Sequence, residues 1–140
     1  MNPIRTAIDV ISQVEMPETE HCIFSEYAHL SLFMVARSHM WHLASISYSQ
    51  HNALNEFYDG LQDLADQVIE AHIGIKGPLK PSAAEFQFDS YEVAIPAIEE
   101  FHEKTKEVLD VYDCEPTITV TLEEILSLCA GTLYKLKQLH

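Results

Sequence analysis

The chain has 140 residues, of which 47% are hydrophobic, so it is long enough and apolar enough to bury a core without disulfide or metal staples. Its 22 acidic against 8 basic residues give a formal net charge of −14, which leaves too few cations to build a face for a polyanion and favours cationic partners instead. Only 4 glycines and 6 prolines interrupt it, a composition suited to long helices with few loops.

The first 18 residues lack a basic segment followed by an apolar run, and the reading here is that no signal peptide is present. A short helix is expected near 3–14, broken at Met16-Pro17. A long helix A follows over about 20–45, with Thr19 as its expected N-cap. The hydroxyl-rich stretch Ser45 to Gln50 ends it, and helix B runs over about 50–73, stopped by Gly74 and Gly77-Pro78. Residues 74–90 form a 17-residue connection. Helix C is expected over 91–112, a loop around Pro116 over 113–119, and helix D over 122–139, opened by the capping-box pattern Thr121-x-x-Glu124. The β-rich stretch Thr117 to Thr121 is too short and isolated to make a sheet. The expected architecture is a single all-α domain over 1–140. Its four-helix bundle has one long B–C crossover, the ferritin-like arrangement, and a short extra N-terminal helix.

The helical period of about 100° per residue sorts the side chains by face. On helix B, Leu54, Tyr58, Leu61, Ala65, Val68 and His72 make the core stripe, with His51 and Ile69 at its edge. Asp59, Asp63, Asp66 and Glu70 form a separate acidic stripe, in which Asp66 and Glu70 stand one turn apart. Such a stripe is most often a solvated face. On helix A, Tyr27, Ser31, Val35, Ser38 and His42 share one face, while Leu30, Phe33, Met34 and Trp41 cover much of the rest. A helix apolar nearly all round is buried on more than one side, which predicts a subunit interface along A. On helix C the core stripe is Ile98, Phe101, Thr105 and Val108.

Histidines and carboxylates together suit iron and related metals. Two sets have the spacing. Glu26-x-x-His29 and Glu99-x-x-His102 match an in-bundle di-iron motif, but Glu26, His29 and Glu99 point away from the core stripes and His102 is marginal to its own. The other set is His39 or His42 with His51, Asp66 and Glu70. Cys22, Cys114 and Cys129 are odd in number, lack CxxC spacing and read as reduced cytoplasmic thiols. No apolar run approaches a membrane span.

The segment from His39 to Glu70 resembles the Dps miniferritins, which place one histidine late in helix A, another at the start of helix B, and an Asp and a Glu one turn apart further along B. His51, Asp66 and Glu70 take the B-helix places, and Tyr58 falls where that family has an aromatic. His39 keeps the family's spacing of twelve residues to His51, whereas His42 requires a shorter loop. The stretch His42-Leu-Ala-Ser-Ile-Ser-Tyr-Ser-Gln-His51 resembles the pattern His-Trp-x-Thr-x-Ser-Tyr-x-x-His of small ferritin-like proteins of tailed phages. Similarity to these continues at Asp66-x-x-x-Glu70, Gly74-Ile-Lys-Gly77, Glu124-Ile125 and Thr132-Leu-Tyr-Lys-Leu136, so it spans about residues 24–139. Leu43 departs from the Trp of that pattern, and the Gly-Pro loop and Lys-rich tail of Dps are missing. The resemblance implies a homo-oligomer, at least a two-fold dimer, that oxidises Fe(II) at intersubunit sites, with histidines from one subunit and carboxylates from the other. Its implied setting is the cytoplasm (the host's, if phage-encoded). DNA binding is not expected. The rival reading is a metal-free oligomeric helical protein, a phage structural component or a binder of a host protein.

Overall fold

Four α-helices make up most of the computed structural model, which describes residues 15–112 and 115–139. In chain order they are α1 (Glu15–Ala44), α2 (Tyr48–Lys76), α3 (Ala94–Val111) and α4 (Pro116–Gln138), with a 3₁₀ turn at Tyr91–Val93 leading into α3. No strand occurs among the described residues. The short helix expected near 3–14 lies outside them.

Cross-helix contacts set the directions. Tyr27 meets Thr105 while Tyr112 reaches Glu20, so α1 and α3 run antiparallel. His39 stacks on Tyr58 and His21 meets His72, so α1 and α2 do too. Lys135 pairs with Glu56, and Lys137 with Glu99, which makes α4 antiparallel to both α2 and α3. The helices therefore stand in a square in the order α1, α2, α4, α3, and the parallel pair α2 and α3 sits on a diagonal. Two parallel helices in sequence require a connection running the length of the bundle, and residues 77–90 supply it.

This strap lies along α1. It begins with the Pro78 carbonyl against His21 and ends with Asp89 on Arg37 and Trp41. From His21 to Trp41 helix α1 rises roughly 30 Å at 1.5 Å per residue, and residues 78–89 can span at most about 40 Å. The strap therefore uses well over half of its full reach. Its course explains why α1 is apolar on so many sides. Phe33 packs against Phe86 and Phe88 of the strap, and Trp41 is fully buried. Part of the circumference that predicted a subunit interface is thus covered within the chain, and Leu32, Met40 and Leu43 remain exposed.

The core joins all four helices. Leu54, Leu61, Ala65 and Val68 are buried as the helical period predicts, as are Ile98, Phe101, Thr105 and Val108. Tyr58, expected in the core stripe, is only half-buried, and Phe57 occupies the core instead. Several helix ends differ from expectation. Helix α1 runs through Met16-Pro17, because a proline in the first turn gives up only an N–H that has no helical acceptor. Thr19 accordingly lies inside the helix and is not its cap. Helix α2 passes through Gly74 and stops at Gly77, whose φ of 90° only glycine adopts readily. Helix α4 begins at Pro116 and takes in the whole β-rich stretch, so the Thr121 capping box does not form. Burial of Ile118, Thr121 and Leu122 overrides local β preference there.

Candidate metal centre

The turn Ser45–Ser47 joins α1 to α2 and decides which histidines meet. Ser47 caps α2, its Oγ accepting from the Gln50 amide at 3.4 Å. Across this hairpin His42 and His51 stack face to face, with ring centroids 3.6 Å apart. His42 Nδ1 lies 2.7 Å from the His51 carbonyl, and His51 Nδ1 lies 3.0 Å from the His42 carbonyl. A carbonyl oxygen only accepts, so both Nδ1 atoms carry the proton. Each neutral ring is then left with its lone pair on Nε2. Orientation of a ligating imidazole by a bond from its other nitrogen is the usual arrangement in metal sites. Here the two residues orient each other.

His42 is buried and His51 half-buried. His39 is one step removed: exposed, stacked on Tyr58 at 4.2 Å, with its ring 6.0 Å from that of His42. Tyr58 presents its edge to His42 at 5.3 Å and donates to Asn55 Oδ1 at 2.8 Å. The structure thus pairs His42, not His39, with His51, and places Tyr58 and His39 as the flank of that pair.

Asp66 and Glu70 are exposed on α2. They follow His51 by fifteen and nineteen residues, roughly 22 to 29 Å along the helix. One chain cannot bring them to its own histidines. Among the described residues no group of three or more His, Cys, Asp or Glu could hold a metal ion. The in-bundle alternative is also dispersed. Glu26 accepts from Ser82 at the surface, His29 donates to the Ser25 carbonyl, and Glu99 pairs with Lys137.

A second histidine pair sits at the opposite end of the hairpin. His21 lies twenty-one residues before His42, and His72 twenty-one after His51. That equal spacing was the sequence signal for the pair, and the face-by-face reading placed His72 in the core without its partner. His21 Nε2 donates to the Pro78 carbonyl at 2.9 Å, so its Nδ1 accepts from His72 Nε2 at 2.8 Å. His72 Nδ1 is then a buried acceptor without a partner. Burial, followed by the neighbouring His21 and Lys76, pushes the His72 imidazole down to about 4. Phe24 stacks on it at 3.9 Å and Tyr112 closes its edge at 5.7 Å. This pair is a buried clasp that ties the strap to the bundle, with no nitrogen facing solvent to serve as a ligand.

Residues 42–136 match DUF5856, a family of unknown function. The match covers more than half of the chain, and the chain belongs to that family. The matched segment opens at His42 and contains His51, Asp66 and Glu70. No curated protein and no solved structure matches the chain. No helix among the described residues is long and apolar enough to cross a membrane.

Proposed function

We propose that this DUF5856 protein is a Dps-like iron-binding protein on a ferritin-like bundle, taking Fe(II) as substrate at a site shared between two subunits. The observation that most supports it is the reciprocal locking of His42 and His51. Two backbone carbonyls hold both imidazoles in the tautomer that leaves Nε2 free. The donor chemistry fits, since imidazole nitrogen and carboxylate oxygen are both iron ligands. His42 and His51 would come from one subunit, Asp66 and Glu70 from its neighbour, and His39 would stand beside them as a flanking group or alternative ligand. A two-fold pairing of antiparallel neighbours sets the histidine end of one hairpin against the acidic stripe of the other and makes two equivalent sites. The exposed Leu32, Met40 and Leu43 supply apolar contact for that pairing. At the site each Fe(II) gives up one electron to an oxidant of the dioxygen or peroxide class. The anionic carboxylates hold the Fe(III) product more tightly than Fe(II), and Tyr58 packs its edge against the His42 imidazole.

The test is complementation. His51→Ala and Asp66→Ala should each abolish tight Fe(II) binding and leave the helical circular dichroism intact. Mixed and allowed to exchange subunits, they should regain a fraction of the sites, because one interface of each heterodimer then has every ligand. Exchange without recovery refutes the shared site, as does a clean 15.9 kDa species at micromolar concentration in sedimentation equilibrium. Elemental analysis of protein purified without chelator or affinity tag separates this reading from a metal-free interaction protein.

A further inference from the structure

The strap is not part of the core. No residue from 77 to 93 is among the buried hydrophobics, and Phe86 and Phe88 keep 41% and 60% of their surface exposed. What holds its second half is a set of side chains repeating every four residues on one face of α1. Phe33 lies between Phe86 and Phe88, at centroid distances of 4.8 and 5.4 Å. One turn on, Arg37 grips Asp89 with two nitrogens, Nε to Oδ1 at 3.1 Å and Nη2 to Oδ2 at 2.5 Å. A further turn on, Trp41 Nε1 donates to the same Oδ1 at 3.2 Å. The guanidinium is itself held between rings, 5.6 Å from the centroid of Phe33 and 4.8 Å from that of Trp41.

We propose that the Phe33–Arg37–Trp41 face of α1 is a peptide-docking cradle, occupied in this structure by the chain's own strap. Its partner is an extended segment bearing two aromatics on alternate residues, followed directly by a carboxylate. The seated strap defines that chemistry. Alternate residues of an extended chain point the same way, so Phe86 and Phe88 straddle Phe33 together. The residue after them meets a planar fork that fits a carboxylate with two bonds and stacks on aromatics, which lysine cannot reproduce. Arg37 lowers the Asp89 carboxyl from its ordinary value, with Trp41 adding a smaller pull. The cradle also continues. Beyond Phe86, toward the start of α1, a cavity of about 340 Å³ lies between Ile23, Leu30, Val108 and the strap, which lines it with Phe86 and Ala84. A partner segment that covers Phe33 more fully than the strap does, and Trp41 as well as it does, can therefore displace its second half.

Tethering is the strap's advantage, since a short flexible link corresponds to a millimolar effective concentration. The experiment removes that advantage. Full-length protein carrying Phe86→Ala, Phe88→Ala and Asp89→Ala is titrated into a fluorescein-labelled peptide with the sequence of residues 83–91, and anisotropy is read. The opened protein should bind the peptide at least about tenfold more tightly than wild type, in line with the loss of the tethered competitor. Arg37→Ala in the opened background should remove that gain. Asp89→Ala alone removes the Arg37 pair and the Trp41 Nε1 bond but keeps both strap aromatics, serves if the triple variant does not fold, and should show the same order of effects. An opened protein that keeps its helical signal but binds no better than wild type overturns the proposal. So does binding that Arg37→Ala leaves unchanged. If wild type proves to be a dimer whose straps have exchanged, the occupant is a second copy and the peptide proposal falls.

Discussion

Acidification should loosen this protein through His72, and the size of the effect follows from its burial. The imidazole is fully buried, donates to His21, and has a folded-state pKa of about 4 against an ordinary 6.5. The unfolded chain therefore takes up a proton more readily than the folded one at every pH between these values. Above pH 6.5 both forms are neutral and nothing is lost; below it, stability falls until about pH 4, where the folded ring is charged as well. For this one group the loss is about 1.4 kcal/mol at pH 5.5 and about 2.5 kcal/mol at pH 4.5. The full shift corresponds to about 3 kcal/mol. Carboxylates add their own slope, so the assay is a comparison. Urea unfolding followed by circular dichroism at pH 7.0, 5.5 and 4.5 is run on wild type and on His72→Phe, which keeps a ring against Phe24. At pH 7.0 the variant should be less stable by about 1–3 kcal/mol for the buried bond it lacks. On acidification wild type should lose about 2.5 kcal/mol more than the variant by pH 4.5. Equal losses in the two proteins would show that His72 does not titrate as its surroundings require.

Three further outcomes check the fold and the charge balance. Gly77→Ala should cost about 1–3 kcal/mol in thermal melts because of its positive φ, whereas Gly74→Ala, in open helical surroundings, should stabilise by a few tenths to about 1 kcal/mol. Phe57→Ala should cost about 3–5 kcal/mol, while truncating the exposed Phe88 should cost far less. Duplex DNA should not shift in a gel at sub-micromolar protein and about 150 mM salt, since affinity there rests on neutralising phosphates and the chain carries a net charge of −14.

The helices and most of their buried faces are determined by the sequence alone. The apolar positions Leu54, Leu61, Ala65 and Val68 recur with the helical period, and so do Ile98, Phe101, Thr105 and Val108. That signal is local, because the turn per residue is the same in any helix. The one-turn relation of Asp66 to Glu70 is local in the same sense, and so is the outward phase of Glu26 and Glu99. The length of the connection likewise announced a crossover, because two parallel helices in succession need one.

Register across the bundle is another matter. Whether His39 or His42 meets His51 depends on how many residues the turn consumes, and Ser45–Ser47 sets that at three. The same register brings His21 to His72 at the far end of the hairpin, a pairing that neither helix shows by itself. The reach of α4 back to Pro116 was settled by burial of Ile118, Thr121 and Leu122 against the rest of the bundle, a free energy larger than the β preference of the residues concerned. The apolar circumference of α1 gave the least away. From sequence, Phe33 and Trp41 only asked for a cover. It took the path of the strap to provide one within the chain, since the course of an irregular segment is set by the distance it must span and by the side chains it passes, not by any period of its own.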